Sequence, residues 1–267
     1  MFSVLMSLYD KEKAIHLDQC LSSLYTQTLK ADEIILVYDG YINKELDDVV
    51  LRWMELLPLK LVKLVSNVGL GKALNIGLEQ CKNDIVARMD TDDLCDSKRF
   101  ELQIPMMSDD PELAIVGSYI NEFDNDPVYP KSTRIVPLDD IEIKEGVKLK
   151  SPFNHMTVVF RKTKVKDVGG YQHLYLMEDY SLWLRLLKSE VKAKNIPLPL
   201  VNMRAGRDML LRRRGFKYVK SEYKIALLKR HLGYQNFLSA MVIFFARATP
   251  RLMPVFLFKL IYSLLRK

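Results

Sequence analysis

Apolar positions in the first hundred residues alternate between two rhythms. Phe2–Leu8 is a short, nearly continuous apolar run suited to a strand buried on both faces. Leu17, Cys20, Leu21 and Leu24 then recur at i, i+3, i+4 and i+7, which is the stripe of an amphipathic helix. Glu33–Val37 predicts a second strand, ending at Tyr38–Asp39–Gly40. Val49, Trp53, Leu56 and Leu57 predict a second helix, stopped by Pro58. Leu59–Val65 predicts a strand, Lys72–Cys81 a helix and Asp84–Met89 a fourth strand. This βαβαβαβ order predicts a mostly parallel sheet covered by helices on both faces. Right-handed crossovers then bring the carboxyl ends of these strands to one edge.

The later pattern is less regular. Leu113–Phe123 and Met156–Arg161 predict strands, and Leu182–Leu187 is apolar at helical spacing. Pro127–Pro137 is broken by prolines and predicts a hairpin or loop. From about residue 208 the chain predicts helix, first basic and then apolar. The division expected is a catalytic α/β domain over 1–205, with halves 1–110 and 111–205, and a helical basic and apolar tail over 206–267.

Charge separates the same two parts. From Arg204 to Lys267 there are 15 Lys and Arg against Asp208 and Glu222, a net of +13. Residues 1–203 therefore carry −6 of the chain's +7. A basic tail on an acidic body suits an anionic partner: a lipid surface, a diphosphate or a nucleic acid. The apolar stretches Phe237–Ala246 and Leu252–Leu265 are shorter than the roughly 20 residues a spanning helix needs, and Pro250 and Pro254 interrupt them. Cys20, Cys81 and Cys95 form no CxxC pair, so reduced core thiols are expected. The start has no basic region before its apolar run and reads as a strand rather than a signal peptide.

Four features could carry chemistry. Asp90–Thr91–Asp92–Asp93 directly follows the fourth strand. Three carboxylates in four residues repel one another, and a hard divalent cation relieves that repulsion. Asp is also common in turns and helix caps, so the triplet alone leaves both readings open. Asp39 ends the second strand and shares its sheet edge with the triplet. Asn67–Val68–Gly69–Leu70–Gly71–Lys72 joins a strand to a helix; it is neither a P-loop nor GxGxxG, but it could offer amides and Lys72 to an anion. Glu178–Asp179 opens the apolar helix, as a cap or as a general base.

Taken in order, these motifs resemble glycosyltransferase family 2, the large inverting family with the GT-A fold. The resemblance covers roughly residues 2–205. It rests on Leu8–Tyr9–Asp10–Lys11–Glu12, Tyr38–Asp39–Gly40, Asn67-x-Gly69-x-Gly71-x-Ala73-x-Asn75, Asp90-x-Asp92–Asp93, Gly169–Gly170–Tyr171 and Glu178–Asp179. It implies a UDP-sugar donor and Mn²⁺ or Mg²⁺ held by Asp92 and Asp90. It implies a nucleotide-sugar pocket of Tyr9, Glu12, Asp39, Asn67, Lys72, Asp90, Thr91 and Arg99, with Asp39 on the base. Asp179 would be the general base, with Glu178 and His155 in the acceptor site. Two positions depart from the usual pattern: Tyr38 stands for the first of two acids, and Asp10 follows Tyr9 where Asn is usual. The processive Q-x-x-R-W signature is absent, so the resemblance implies addition of single sugars.

Arg204, Arg212–Arg213–Arg214, Tyr218–Val219, Ser221–Glu222 and Leu252–Pro254 resemble the tails of enzymes that build bacterial O-antigen and exopolysaccharide (amylovoran-type) units. That resemblance implies a hexose, Glc or Gal in β-1,3 linkage, passed to a polyprenyl-diphosphate-linked saccharide. The enzyme would sit peripherally on the inner face of the cytoplasmic membrane. A sugar nucleotidyltransferase is the competing enzyme, but it would carry a Gly-rich basic loop after the first strand, where Tyr9–Asp10–Lys11–Glu12 stands. A nucleic-acid-binding role for the tail lacks any reading motif, and no nucleic-acid partner is expected.

Overall fold

The structure is a computed structural model and describes residues 1–205 and 213–254. Arg212 and nearly all of the Leu252–Leu265 stretch lie outside the described residues.

The predicted first half is present element by element. Strands β1 (Ser3–Leu8), β2 (Glu33–Tyr38), β3 (Leu59–Lys63) and β4 (Ile85–Arg88) alternate with helices α1 (Ala14–Tyr25), α2 (Lys44–Trp53) and α3 (Leu70–Gln80). All four strands are parallel, in the order β3-β2-β1-β4. Strand periodicity divides their side chains between two cores. Val4, Met6, Leu8, Ile34, Leu36 and Tyr38 pack beneath α1 and α2, while Leu5, Ile35 and Val37 pack beneath α3.

The rest of the domain closes the sheet with mixed pairing. It contains β5 (Leu94–Cys95), α4 (Arg99–Asp109), β6 (Leu113–Phe123), β7 (Ser132–Arg134), α5 (Asp140–Gly146), β8 (Val159–Arg161) and α6 (Lys162–Asp167). α7 (Glu178–Lys188) and β9 (Lys192–Arg204) complete it. The nine-stranded sheet runs β3-β2-β1-β4-β8-β6-β9-β5, with β7 forming a hairpin on β6 inside the proline-rich stretch. β8 is antiparallel to both β4 and β6, and β9 is parallel to β6. β9 contains Pro197 and Pro199, which lack the ladder N–H; the β6–β9 register is irregular between Ser118 and Ile120, opposite them.

Among the described residues of the tail, two helices follow, α8 (Gly215–His231) and α9 (Phe237–Leu252). α8 packs into the core beneath the sheet. Tyr218 and Ile225 join it, the Lys229 ammonium donates to Lys148 O at 2.8 Å, and Tyr234 Oη donates to Leu184 O at 3.0 Å. Buried Glu222 accepts from Arg247 at 2.7 and 3.1 Å, fastening α9 to α8. Pro250, expected to interrupt this helix, lies within its last turn, and the helix runs only two residues beyond it. The helix ends before Pro254, with Met253 extended. No helix among the described residues is long and apolar enough to cross a membrane. All three cysteines are buried and free.

Candidate active site

Parallel β1, β2 and β4 end side by side, so Tyr9, Asp39 and the acidic loop after β4 share one edge of the sheet. At Asp90, Asp92 and Asp93 one carboxylate oxygen each lies within 4.8 Å of the others. The loop is held from below. Cys20 Sγ donates to Asp90 O at 3.2 Å. Arg204, at the end of β9, donates through its backbone N to Asp93 Oδ1 at 2.9 Å and through Nε to Asp92 O at 3.1 Å. Asp93 is thus a buried anchor, and Asp90 and Asp92 are left as the partly exposed carboxylates.

Electrostatics confirm the crowding. Burial, then the charge of Asp90, raises the Asp92 carboxyl to about 6. Burial, then the charge of Asp92, raises Glu12 to about 7, so a fourth carboxylate faces the cluster from the segment after β1. Desolvated acids pushed this far up bind protons near neutrality unless a cation compensates them, and an all-oxygen donor set suits Mg²⁺ or Mn²⁺.

Asp39 has a defined task in the fold. Its carboxylate accepts from Val68 N at 2.6 Å and from Gly69 N at 3.1 Å, and Asn67 Nδ2 donates to Asp39 O at 3.1 Å. Two of the loop amides expected to meet an anionic ligand, those of Val68 and Gly69, are therefore committed to Asp39. Gly40 makes the approach possible: its φ is +91°, and a Cβ there would lie 2.6 Å from Asn67 N. Lys72 is exposed on the first turn of α3, Tyr9 is half-exposed, and Thr91 is buried within the acidic loop. Arg99 departs from its expected place in the nucleotide pocket. It is fully buried, with Nε on Gln103 Oε1 at 2.9 Å and Nη2 on Arg88 O at 2.8 Å. Its donors are committed to the protein beneath the loop, so it supports β4 instead of lining the pocket.

The opposite wall is built on α3. Asn75 Nδ2 donates to Tyr171 O at 2.7 Å, and Asn75 Oδ1 accepts from Tyr171 N at 2.8 Å. This clamps the Gly169–Gly170–Tyr171 turn, in which Gly170 has φ +61° and a Cβ would meet Asn75 Oδ1 at 2.6 Å. Gly71 permits the first turn of α7 to sit close, since its Cβ would lie 3.2 Å from Glu178 Cγ. Glu178 and Asp179 are thereby delivered beside Tyr171. Burial raises the Asp179 carboxyl above its usual range, opposed by the Tyr180 amide and the charges of Arg213, Arg134 and Arg88. Burial also raises Glu178, to about 7. His155 Nε2 lies 2.9 Å from the Tyr171 hydroxyl; burial and the charge of Arg88 hold the imidazole neutral.

The model of glycosyl transferase family 2 matches residues 3–183. The chain is 48% identical over 267 residues to the amylovoran biosynthesis glycosyltransferase AmsE of Erwinia amylovora, covering 100% of both. The chain belongs to glycosyl transferase family 2. It is also 38% identical over 256 residues to the UDP-Gal:alpha-D-GlcNAc-diphosphoundecaprenol beta-1,3-galactosyltransferase of Escherichia coli, covering 95% of this chain and 92% of that one. The fold matches a crystal structure of S. aureus TarS with a TM-score of 0.67 at 18% identity, over 92% of this chain and 71% of that one. As a family 2 member the chain is a glycosyltransferase with a GT-A fold, and the nucleotidyltransferase and nucleic-acid-binding readings fall away.

Two residues that the sequence pattern does not place in the site are central to it. Arg204 appears there only as a tail feature, yet it clasps the acidic loop. Arg88 ends β4 and pairs through Nη2 with Asp90 Oδ1. Its signal is a charged residue closing an otherwise apolar strand, Ile85–Arg88.

Proposed function

We propose that the chain transfers a hexose, Glc or Gal in β-1,3 linkage, from a UDP-sugar to a polyprenyl-diphosphate-linked saccharide in surface-polysaccharide synthesis. The supporting observation is the pairing of a crowded acidic cluster at one sheet edge with a half-buried carboxylate, Asp179, at the start of α7 beside Tyr171. The E. coli relative named for UDP-Gal and a diphosphoundecaprenol acceptor gives the substrate classes. Residues 1–110 form the donor half and 111–205 the acceptor half. Asp90 and Asp92 would hold Mn²⁺ or Mg²⁺, which offsets the charge growing on the departing diphosphate. Tyr9, Glu12, Asn67, Lys72 and Thr91 border the donor. Asp39 retains lone pairs beyond those used by Val68 and Gly69, enough to accept from a uracil N–H. Asp179 takes the acceptor hydroxyl's proton as that oxygen bonds to C1 of the hexose and the C1–diphosphate bond breaks. A single displacement inverts C1. Glu178 and the neutral His155 border the acceptor. Incubating the purified protein with Mn²⁺, UDP-Gal or UDP-Glc and a GlcNAc-diphosphate-lipid should release UDP and extend the lipid by one hexose. Release of UDP from neither donor overturns the reading.

The tail supports a peripheral position on the inner face of the cytoplasmic membrane. Phe237, Leu238, Val242, Phe245 and Leu252 of α9 are exposed, as are Phe216, Tyr223 and Leu227 of α8, which also carries exposed Lys220, Lys224 and Arg230. Apolar insertion together with cations at about 1 kcal/mol each holds a protein reversibly on an anionic surface. The full-length protein should sediment with anionic liposomes at low salt. The combined variant Phe237→Ser, Leu238→Ser, Val242→Ser and Phe245→Ser should sediment several-fold less, with hydrolysis of UDP-hexose unchanged. Equal binding by both proteins removes α9 as the attachment face.

A further inference from the structure

Arg88 combines two properties that the fold does not reconcile. It is 1% exposed, and its one ion pair among the described residues, to Asp90, occupies Nη2. Its Nε–H and Nη1–H are buried and have no hydrogen-bond partner among the described residues. A buried guanidinium with two unfilled donors is unfavourable in the protein alone, because each unmet N–H loses its water without replacement. His155 and Tyr171, which feel the charge of Arg88, bond to each other and not to the guanidinium. The guanidinium pairs with Asp90 and lies within electrostatic reach of Asp93, Tyr171 and Asp179. It is therefore near both the carboxylates assigned to the diphosphate and the carboxylate assigned to the acceptor hydroxyl.

We infer that Arg88 binds the transferred hexose, donating from Nε and Nη1 to ring hydroxyl oxygens. This rests on the donor and acceptor assignment above. In a single displacement the leaving oxygen, C1 and the attacking oxygen are in line, so the sugar ring occupies the space between the two sets of carboxylates. Hydroxyl oxygens on that ring are acceptors of the kind the guanidinium lacks. The fork geometry fixes which hydroxyls can be met, so Arg88 separates hexoses that differ at one stereocentre.

The test compares parent and Arg88→Lys, which keeps a cation beside Asp90 but loses the fork. With Mn²⁺ present, three quantities are measured: the Kd of UDP, the kcat/KM for UDP-Gal and UDP-Glc, and the kcat/KM for deoxy-hexose analogues of the better donor. UDP affinity should stay within about twofold, while the ratio between the two hexoses falls by about 10–100-fold, the worth of a charged hydrogen bond. One deoxy analogue should be poor for the parent and no worse than the natural donor for the variant, since the lost contacts are the same. A fall in UDP affinity matching the fall for UDP-hexose would show that Arg88 acts only by holding Asp90, and overturns the contact. A parent that discriminates while Arg88→Lys discriminates equally overturns it as well. A parent that binds UDP but uses no UDP-hexose overturns the donor assignment itself. If the lysine variant does not fold by circular dichroism, the parent's deoxy series decides alone: equal use of every analogue removes the contact.

Discussion

Asp179→Asn should lower glycosyl transfer by about 10²–10⁴-fold while leaving UDP-sugar binding within about twofold, as expected for a base that acts on the acceptor and not on the nucleotide. The geometry behind this is local. Asn75 clamps the turn at Tyr171, Gly71 lets α7 approach, and the first turn of α7 carries Asp179 beside Tyr171. The amide keeps the shape and removes the proton acceptor. The pH profile gives a second check. Burial raises the Asp179 carboxyl above the usual carboxylate range, and a base works only when deprotonated. The kcat/KM of the parent should therefore fall as pH drops through that raised value, starting at higher pH than an exposed Asp would allow. Glu178, pushed up to about 7, titrates next to it, so the acid limb belongs to the pair until Glu178→Gln separates them. An Asp179→Asn protein with near-normal turnover would reduce this carboxylate to a helix cap.

The parts legible in the sequence are those written in consecutive residues or a single period. The alternation of Val4, Met6 and Leu8 against Leu5 follows from strand geometry, and the Asp90–Asp93 cluster is contiguous. Elements that break their own local rules were not legible. α4 contains Pro105 and buries Arg99 and Gln103, and β9 contains two prolines opposite an irregular ladder. Both are stabilised by partners distant in sequence: Gln103 Nε2 donates to Thr157 O at 2.9 Å, and β9 lies against β6. Asp39 was legible as a position but not as a contact. Its bonds to Val68 and Gly69 span about thirty residues, and nothing in a turn sequence declares them. Arg204 sits 111 residues from the Asp93 it bonds.

Asp92→Asn should abolish most of the activity, by about 10²–10⁴-fold, while making the metal-free protein more stable. The two effects have one cause. Asp92 is desolvated and crowded by Asp90, and in turn helps to raise Glu12 to about 7. Removing its charge relieves repulsion that the folded chain otherwise bears without a cation, so the thermal midpoint in EDTA should rise by roughly 2–4 °C per kcal/mol relieved. The sign with pH follows. A carboxyl raised in the folded state retains its proton longer than in the unfolded chain. The metal-free parent is therefore penalised fully above about pH 7, and the penalty fades as pH falls through about 6 toward the ordinary carboxylate value. Mn²⁺ or Mg²⁺ competes with those protons, so its affinity should increase with pH across the same window and binding should release protons to the buffer. Calorimetry of Mn²⁺ binding in two buffers of different ionisation enthalpy measures that release directly. Activity retained in excess EDTA, or an Asp92→Asn protein that is both active and no more stable, would remove the acidic cluster from the role of a cation site.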